Sequence, residues 1–145
     1  MSHTLMSPKA LGACLLLALL GPAGCSNAPT KIEGTPVRGK IVYKGKGKVG
    51  VLANGKVRLR SDANPELVVF GTIEEDGSFV LGASAPGKSP GGVPAGEYKV
   101  RIEPPDNDDG RPLPVVHAKY RDFNRSGLRI TVPPPGEVVL EVERP

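Results

Sequence analysis

Tryptophan is missing from this 145-residue chain, and its other aromatics amount to three Tyr and three Phe. Stacking platforms for nucleobases or sugar rings need rows of aromatic faces. A nucleic-acid partner is therefore not expected, and a stacked sugar site is disfavoured. Cysteine is nearly absent: Cys14 and Cys25 are the only two, so nothing after Cys25 can form an internal disulfide. An exported domain of this length must rest on its own core without covalent staples. Histidine occurs only at His3 and His117. Long helices have no room, because 19 Gly and 16 Pro interrupt the chain every few residues. No window carries the 3.6-residue apolar period of an amphipathic helix.

What is present near the N-terminus is an address. Met1–Lys9 has one cation, Lys9, and no acid; Ala10–Leu20 follows as eleven almost wholly apolar residues. As a helix that stretch spans about 17 Å, against the ~30 Å of a bilayer core. The length suits a secretory h-region and not a spanning helix. The run Leu19-Leu20-Gly21-Pro22-Ala23-Gly24-Cys25 then resembles a bacterial lipoprotein signal, in which small residues precede a cysteine that is lipidated and becomes the new N-terminus. The resemblance implies that residues 1–24 are removed, Cys14 with them, and that acyl chains such as palmitate on Cys25 hold the protein to a membrane. Two or three such chains give stable anchoring where one does not. Pro22 departs from the pattern, which has Leu or a similar residue three positions before the cysteine. The alternative is an ordinary signal peptide cut near Ala23 or Gly24, leaving Cys25 as a free thiol. Ser26 after the cysteine, in place of Asp, favours the outer membrane of an exported, envelope-located protein.

Charge is unevenly placed. Over residues 25–60 nine Lys/Arg face one acid, Glu33, whereas from Ser61 onward nine Lys/Arg meet fourteen Asp/Glu. A basic segment beside a lipid anchor suits anionic headgroups or acidic glycans. The plainer account, which we favour at this level, is that these cations form the wet faces of strands.

After a short polar tether, Ser26–Thr35, the chain reads with period two, the mark of half-buried strands. Val37, Gly39, Ile41 and Tyr43 alternate with Arg38, Lys40 and Lys44. A short strand is expected at Val49–Leu52, and Asn54-Gly55 signals a turn. Val57 and Leu59 then point inward and Arg58 and Arg60 outward. Leu67–Ile73 reads as a strand; Asp76-Gly77 turns the chain into Ser78–Leu81, with Phe79 and Leu81 inward. Gly82–Ala95, rich in Pro and Gly, is expected to be a mobile surface loop. Glu97–Glu103 sets Tyr98, Val100 and Ile102 against Lys99, Arg101 and Glu103. Pro104–Gly127 reads as irregular. Leu128, Ile130 and Val132 face inward in the next strand; Val138, Leu140 and Val142 do so in the last, whose outward side carries Glu137, Glu141 and Glu143. Seven or so short strands with regular turn signals predict an all-β fold, a single seven-stranded antiparallel β-sandwich over residues 36–145. Opposite outer charges also place the first or second strand near the last.

Three stretches carry a family resemblance. Val37–Lys46 resembles the opening V-x-G-x-V-x-Y-x-G-K of carboxypeptidase regulatory-like domains. Gly71 through Asp76-Gly77-Ser78-Phe79 resembles their G-x-x-x-x-D-G-S-F hairpin, and Pro94-Ala95-Gly96-Glu97-Tyr98-Lys99-Val100 their P-x-G-x-Y-x-V entry. Lys119-Tyr120 followed by Ser126-Gly127-Leu128 resembles a feature of short bacterial lipoproteins of this type. The resemblance implies a transthyretin-like (prealbumin-like) sandwich with no catalytic residues, used as an accessory or binding module. Gly77 and Gly96 then serve tight turns, and Phe79 and Tyr98 the core.

Chemistry is sparse. His117, alone once residues 1–24 are gone, cannot build a usual zinc site and has no Ser or Cys partner in any motif. Asp106, Asp108 and Asp109 fall out of step with a calcium loop, which also needs a glutamate where Val116 stands; an Asp- and Gly-rich turn is the plainer reading. Hydroxyisourate hydrolases resemble transthyretin but end in Tyr-Arg-Gly-Ser, whereas this chain ends Val142-Glu143-Arg144-Pro145. The expectation is a non-enzymatic, membrane-anchored envelope lipoprotein without cofactor or metal. Its β-domain binds or spaces an envelope protein or glycan through the loops Gly82–Ala95 and Pro104–Gly127. The alternative is a carrier module for a small ligand or carbohydrate.

Overall fold

The computed structural model describes residues 28–145. The signal segment and Cys25 lie outside the described residues. The seven strands are β1 (Val37–Tyr43), β2 (Lys56–Arg60), β3 (Val68–Thr72), β4 (Ser78–Ser84), β5 (Gly96–Glu103), β6 (Arg129–Val132) and β7 (Val138–Val142). No α-helix occurs among the described residues, and no helix there is long and apolar enough to cross a membrane. Each strand forms where the period-two pattern lies. Val37, Ile41, Val57, Leu59, Phe79, Leu81, Tyr98, Val100, Ile102, Ile130, Val132, Leu140 and Val142 are all buried in one core cluster, as their alternation predicts.

The strands join in the order β6-β5-β2-β3-β4-β1-β7. Strand β4 is the corner. Its first half pairs with β1, from Lys40↔Ser78 to Val37↔Leu81, and its second half with β3, from Phe70↔Gly82 to Val68↔Ser84. The single sheet therefore folds at Leu81–Gly82, and its two wings enclose the core. The edge strands β6 and β7 follow one another in the chain through 133–137, so the sheet is nearly closed. Burial of each large core side chain contributes roughly 1.5–3 kcal/mol.

The sheet is mixed and not antiparallel. Strand β7 runs parallel to β1, in register from Gly39↔Val138 to Tyr43↔Val142, while the other pairs are antiparallel. A parallel neighbour needs a long crossover, and here the whole of β2–β6 supplies it. The expected adjacency of the first and last strands holds.

Three local expectations are corrected. Val49–Leu52 is a 3₁₀ turn and not a strand: β4 and β7 already occupy both edges of β1, and Leu52 plugs the core instead. Gly82–Ala95 is not a free loop. β4 continues to Ser84 because β3 offers it an edge, and bridges tie Ser89 to Lys31, Gly91 to Ala83 and Val93 to Thr35. Val93 is fully buried. A side chain on Gly91 would collide with the Ile32 backbone, so glycine permits that close approach. Finally, the tether is packed from Lys31 onward, with Ile32 in the core. Gly77 and Gly96 both take positive φ, 82° and 149°, as their turn roles require.

Candidate functional site

Alternation sends Lys56, Arg58 and Arg60 of β2 and Lys99, Arg101 and Glu103 of β5 to the outer surface. The register then decides which of them meet. Lys56 stands opposite Glu103, but Arg58 stands opposite Arg101 and Arg60 opposite Lys99. Lys99 in turn faces Arg129 of β6. Like charges directly opposite are destabilising in a sheet, and here they are stacked in two successive rungs.

The counter-charges are few. Glu103 accepts from Arg58 Nε at 2.6 Å and from Arg101. Asp62 lies 2.9 Å from Lys99 Nζ, whose hydrogen bond holds the carboxyl below the usual aspartate range. Phe123 contributes the rest: the Arg60 and Arg101 guanidinium carbons lie 4.8 and 4.9 Å from its ring centroid. Cations stack favourably on an aromatic face. Asn124 Oδ1 accepts from Arg60 at 3.0 Å. Arg60 Nε and Arg101 Nε are buried and have no hydrogen-bond partner among the described residues, Arg60 Nε lying 3.8 Å from Asp62 Oδ1.

Phe123 arrives there because its loop is pinned on both sides. Tyr120, in the 3₁₀ turn Ala118–Arg121, is buried in the core. Ser126 is buried too; its Oγ donates to the Val100 carbonyl and accepts from the Leu128 amide at 3.2 Å. Asp122 Oδ1 caps the amides of Asn124 and Arg125 between them. The loop thus covers the part of β5 that the short strand β6 leaves open.

A hollow flanks the rungs at each end. One, of about 360 Å³, is lined by Lys56, Arg101, Glu103, Asp106 and Arg121 among others. The other, of about 260 Å³, is lined by Arg60, Asp62, Glu97, Lys99 and Arg129. Such a surface can attract and orient a polyanion.

The other candidate residues are placed as follows. Tyr98 is core, its hydroxyl donating to the Pro94 carbonyl at 2.8 Å, and burial raises its pKa. His117 is exposed, and its Nδ1 accepts from the Lys119 amide at 3.2 Å to cap the 3₁₀ turn. Asp106, Asp108 and Asp109 are exposed around a tight turn in which Asn107 Oδ1 accepts from the Asp109 and Arg111 amides. Among the described residues no group of three or more His, Cys, Asp or Glu could hold a metal ion. The loop Pro104–Gly127 supplies Phe123 and Arg121 to the site; Gly82–Ala95 supplies only Ala95. Sequence reasoning passed over Phe123 and Asn124. The cation pairs at i,i+2 in both strands were the available signal, but strand pairing is needed to join them.

A second surface feature is apolar. A groove of about 620 Å³ runs over β3 and β4, lined by Phe70, Gly71, Phe79, Val80 and Ala83 among others, with Phe70 and Val80 exposed.

No protein-family model matches the chain, and no curated protein does. Among solved structures it is similar to a DUF3823 family protein from Parabacteroides merdae ATCC 43184, at 16% identity and a TM-score of 0.39. That match covers 77% of this chain and 47% of the other, so the chain spans about half the length of that protein.

Proposed function

We propose that this is a non-catalytic lipoprotein of the bacterial cell envelope, exported and anchored through acyl chains on Cys25. Its carboxypeptidase regulatory-like, transthyretin-like domain is a binding module, working through the outer face of β2 and β5 on an anionic envelope component. The supporting observation is the pair of like-charged rungs, Arg58–Arg101 and Arg60–Lys99–Arg129. A fold that tolerates this repulsion has a use for it, since local conflicts of this kind concentrate at functional sites. Anchoring is supported by the residues around Cys25 and by the outer-membrane-type Ser26.

Radiolabelled palmitate is expected to enter the wild-type protein and not Cys25→Ala, with the variant leaving the membrane fraction. Equal labelling of both rejects the anchor. The second reading, a carrier for a small ligand, is supported by the apolar groove over β3 and β4. It ranks lower because that groove lies on the outside of the sheet while core side chains fill the space between the wings.

A further inference from the structure

We infer that the outer face of β2, β5 and the start of β6 binds an extended acidic polysaccharide, a chain bearing repeated carboxylate or phosphate groups. This rests on the reading of the domain as an envelope binding module and names its ligand class.

The cations are numerous, ordered and under-neutralised. Arg58, Arg60, Lys99, Arg101 and Arg129 occupy adjacent rungs, and among the described residues only Glu103 and Asp62 form ion pairs with them. Stacking on Phe123 fixes the Arg60 and Arg101 guanidinium groups in advance, so little side-chain freedom remains to be lost on binding. An arriving anion adds counter-charge to five cations that two carboxylates serve among the described residues.

The dimensions point to a polymer. From Lys56 to Arg60, β2 covers about 13 Å at about 3.3 Å per residue. Hollows of about 360 and 260 Å³, each lined by three cations and two carboxylates, lie at the two ends. Each is near or below the lower limit of ligand clefts, roughly 300–1,000 Å³, so each suits one acidic unit. A single small anion reaches one hollow; a chain with charges along its length reaches both. Scarcity of aromatics matters less here, because charge and not ring stacking does the holding.

A bilayer fits the arrangement less well. Following the pairings from β1 through β4, β3 and β2 to β5, β1 begins at the end of the sandwich where β2 finishes and β5 starts. The segment ahead of β1 is tied to that same end through Thr35 and Val93. The cationic rungs climb away from it along β2. A membrane beneath the entry end meets Arg60 first and leaves Lys56 and Arg121 roughly 13 Å higher, beyond the ~8 Å Debye length at physiological salt.

The test uses the full-length protein in detergent micelles, with immobilised polygalacturonate as the acidic polymer and dextran as the neutral one. Wild type is expected to bind polygalacturonate, to release it as salt rises, and to ignore dextran. Arg60→Gln with Arg101→Gln is expected to weaken binding about tenfold or more. Arg38→Gln with Lys40→Gln removes the same charge from β1 and is expected to change binding less than about twofold. If the first pair lowers the melting temperature markedly, the exposed pair Lys56→Gln with Arg121→Gln takes its place. Equal losses from both faces mean net charge alone and overturn the inference. So do failure of wild type to bind the polymer, and binding to vesicles of phosphatidylglycerol and phosphatidylcholine in equal parts without binding to polygalacturonate. Palmitate labelling of Cys25 is independent of all these arms. A labelled protein that ignores the polymer loses the ligand class and keeps the anchor; an unlabelled protein that binds it loses the anchor.

Discussion

Strands β1 and β7 and strands β2 and β5 are built from the same kind of sequence, apolar residues alternating with charges, yet their outer charges end differently. At the β1–β7 end, Glu143 accepts from Lys44 at 3.0 Å and from Lys119 at 2.6 Å. Those two ammonium groups, Lys119 first, hold the Glu143 carboxyl down at about 2, and Glu143 in turn raises both lysines. On β2–β5 the cations face cations, and two guanidinium groups share one phenyl ring. In the first region two lysines share one carboxylate and do not stand opposite each other across a pair of strands. The second has the same two-to-one ratio of paired cations to carboxylates but opposes its cations on successive rungs, a repulsion that the proposed acidic ligand would relieve. Composition alone does not separate a paired cation from an opposed one; the identity of the cross-strand neighbour does.

Four measurements break or sharpen this contrast. Phe79→Ala removes a buried ring from the corner strand that joins both wings, and is expected to cost about 3–5 kcal/mol. Chemical denaturation should show both faces lost in one transition; two transitions mean that the wings are not one cooperative body. Ser126→Ala strips the hydrogen bonds to Val100 and Leu128. A loss of about 1–3 kcal/mol is expected, with faster amide exchange at Leu128 and weaker seating of Phe123, while the Glu143 pairs keep their titration.

Arg60→Gln with Arg101→Gln relieves two like-charge rungs but forfeits two ring contacts, the Arg101–Glu103 and Arg60–Asp62 pairs and the Arg60–Asn124 hydrogen bond. Terms of roughly 0.2–1 kcal/mol act in each direction, so the melting temperature is expected to stay nearly unchanged. A large drop makes the rungs structural and erases the contrast. Glu143→Gln carries the smallest effect, since Lys44 is exposed and Glu143 and Lys119 are only half-buried, so water screens the pairs. The folded carboxyl sits below its ordinary 4.5, at about 2. Its contribution is complete above pH 4.5 and is lost as pH falls towards 2. The variant should flatten the acid limb of stability in that window. An unchanged limb shows that the Lys44 and Lys119 contacts stabilise nothing.

What the residues alone determined is everything that depends on a two-residue period. The strands, their inward sets, the Gly77 turn and the core places of Phe79 and Tyr98 all follow from which neighbours along the chain are apolar. Side-chain alternation is a local property of extended backbone. Only the tertiary structure decided who stands beside whom. It laid β7 parallel to β1, denied Val49–Leu52 an edge to pair with, and drew Ser89–Val93 and Ile32 into the packed body. It also set Arg58 against Arg101 and swung Phe123 over Arg60 and Arg101 from the far side of β5. Those outcomes hang on free strand edges and loop closures between residues far apart in the chain, and no local pattern encodes them.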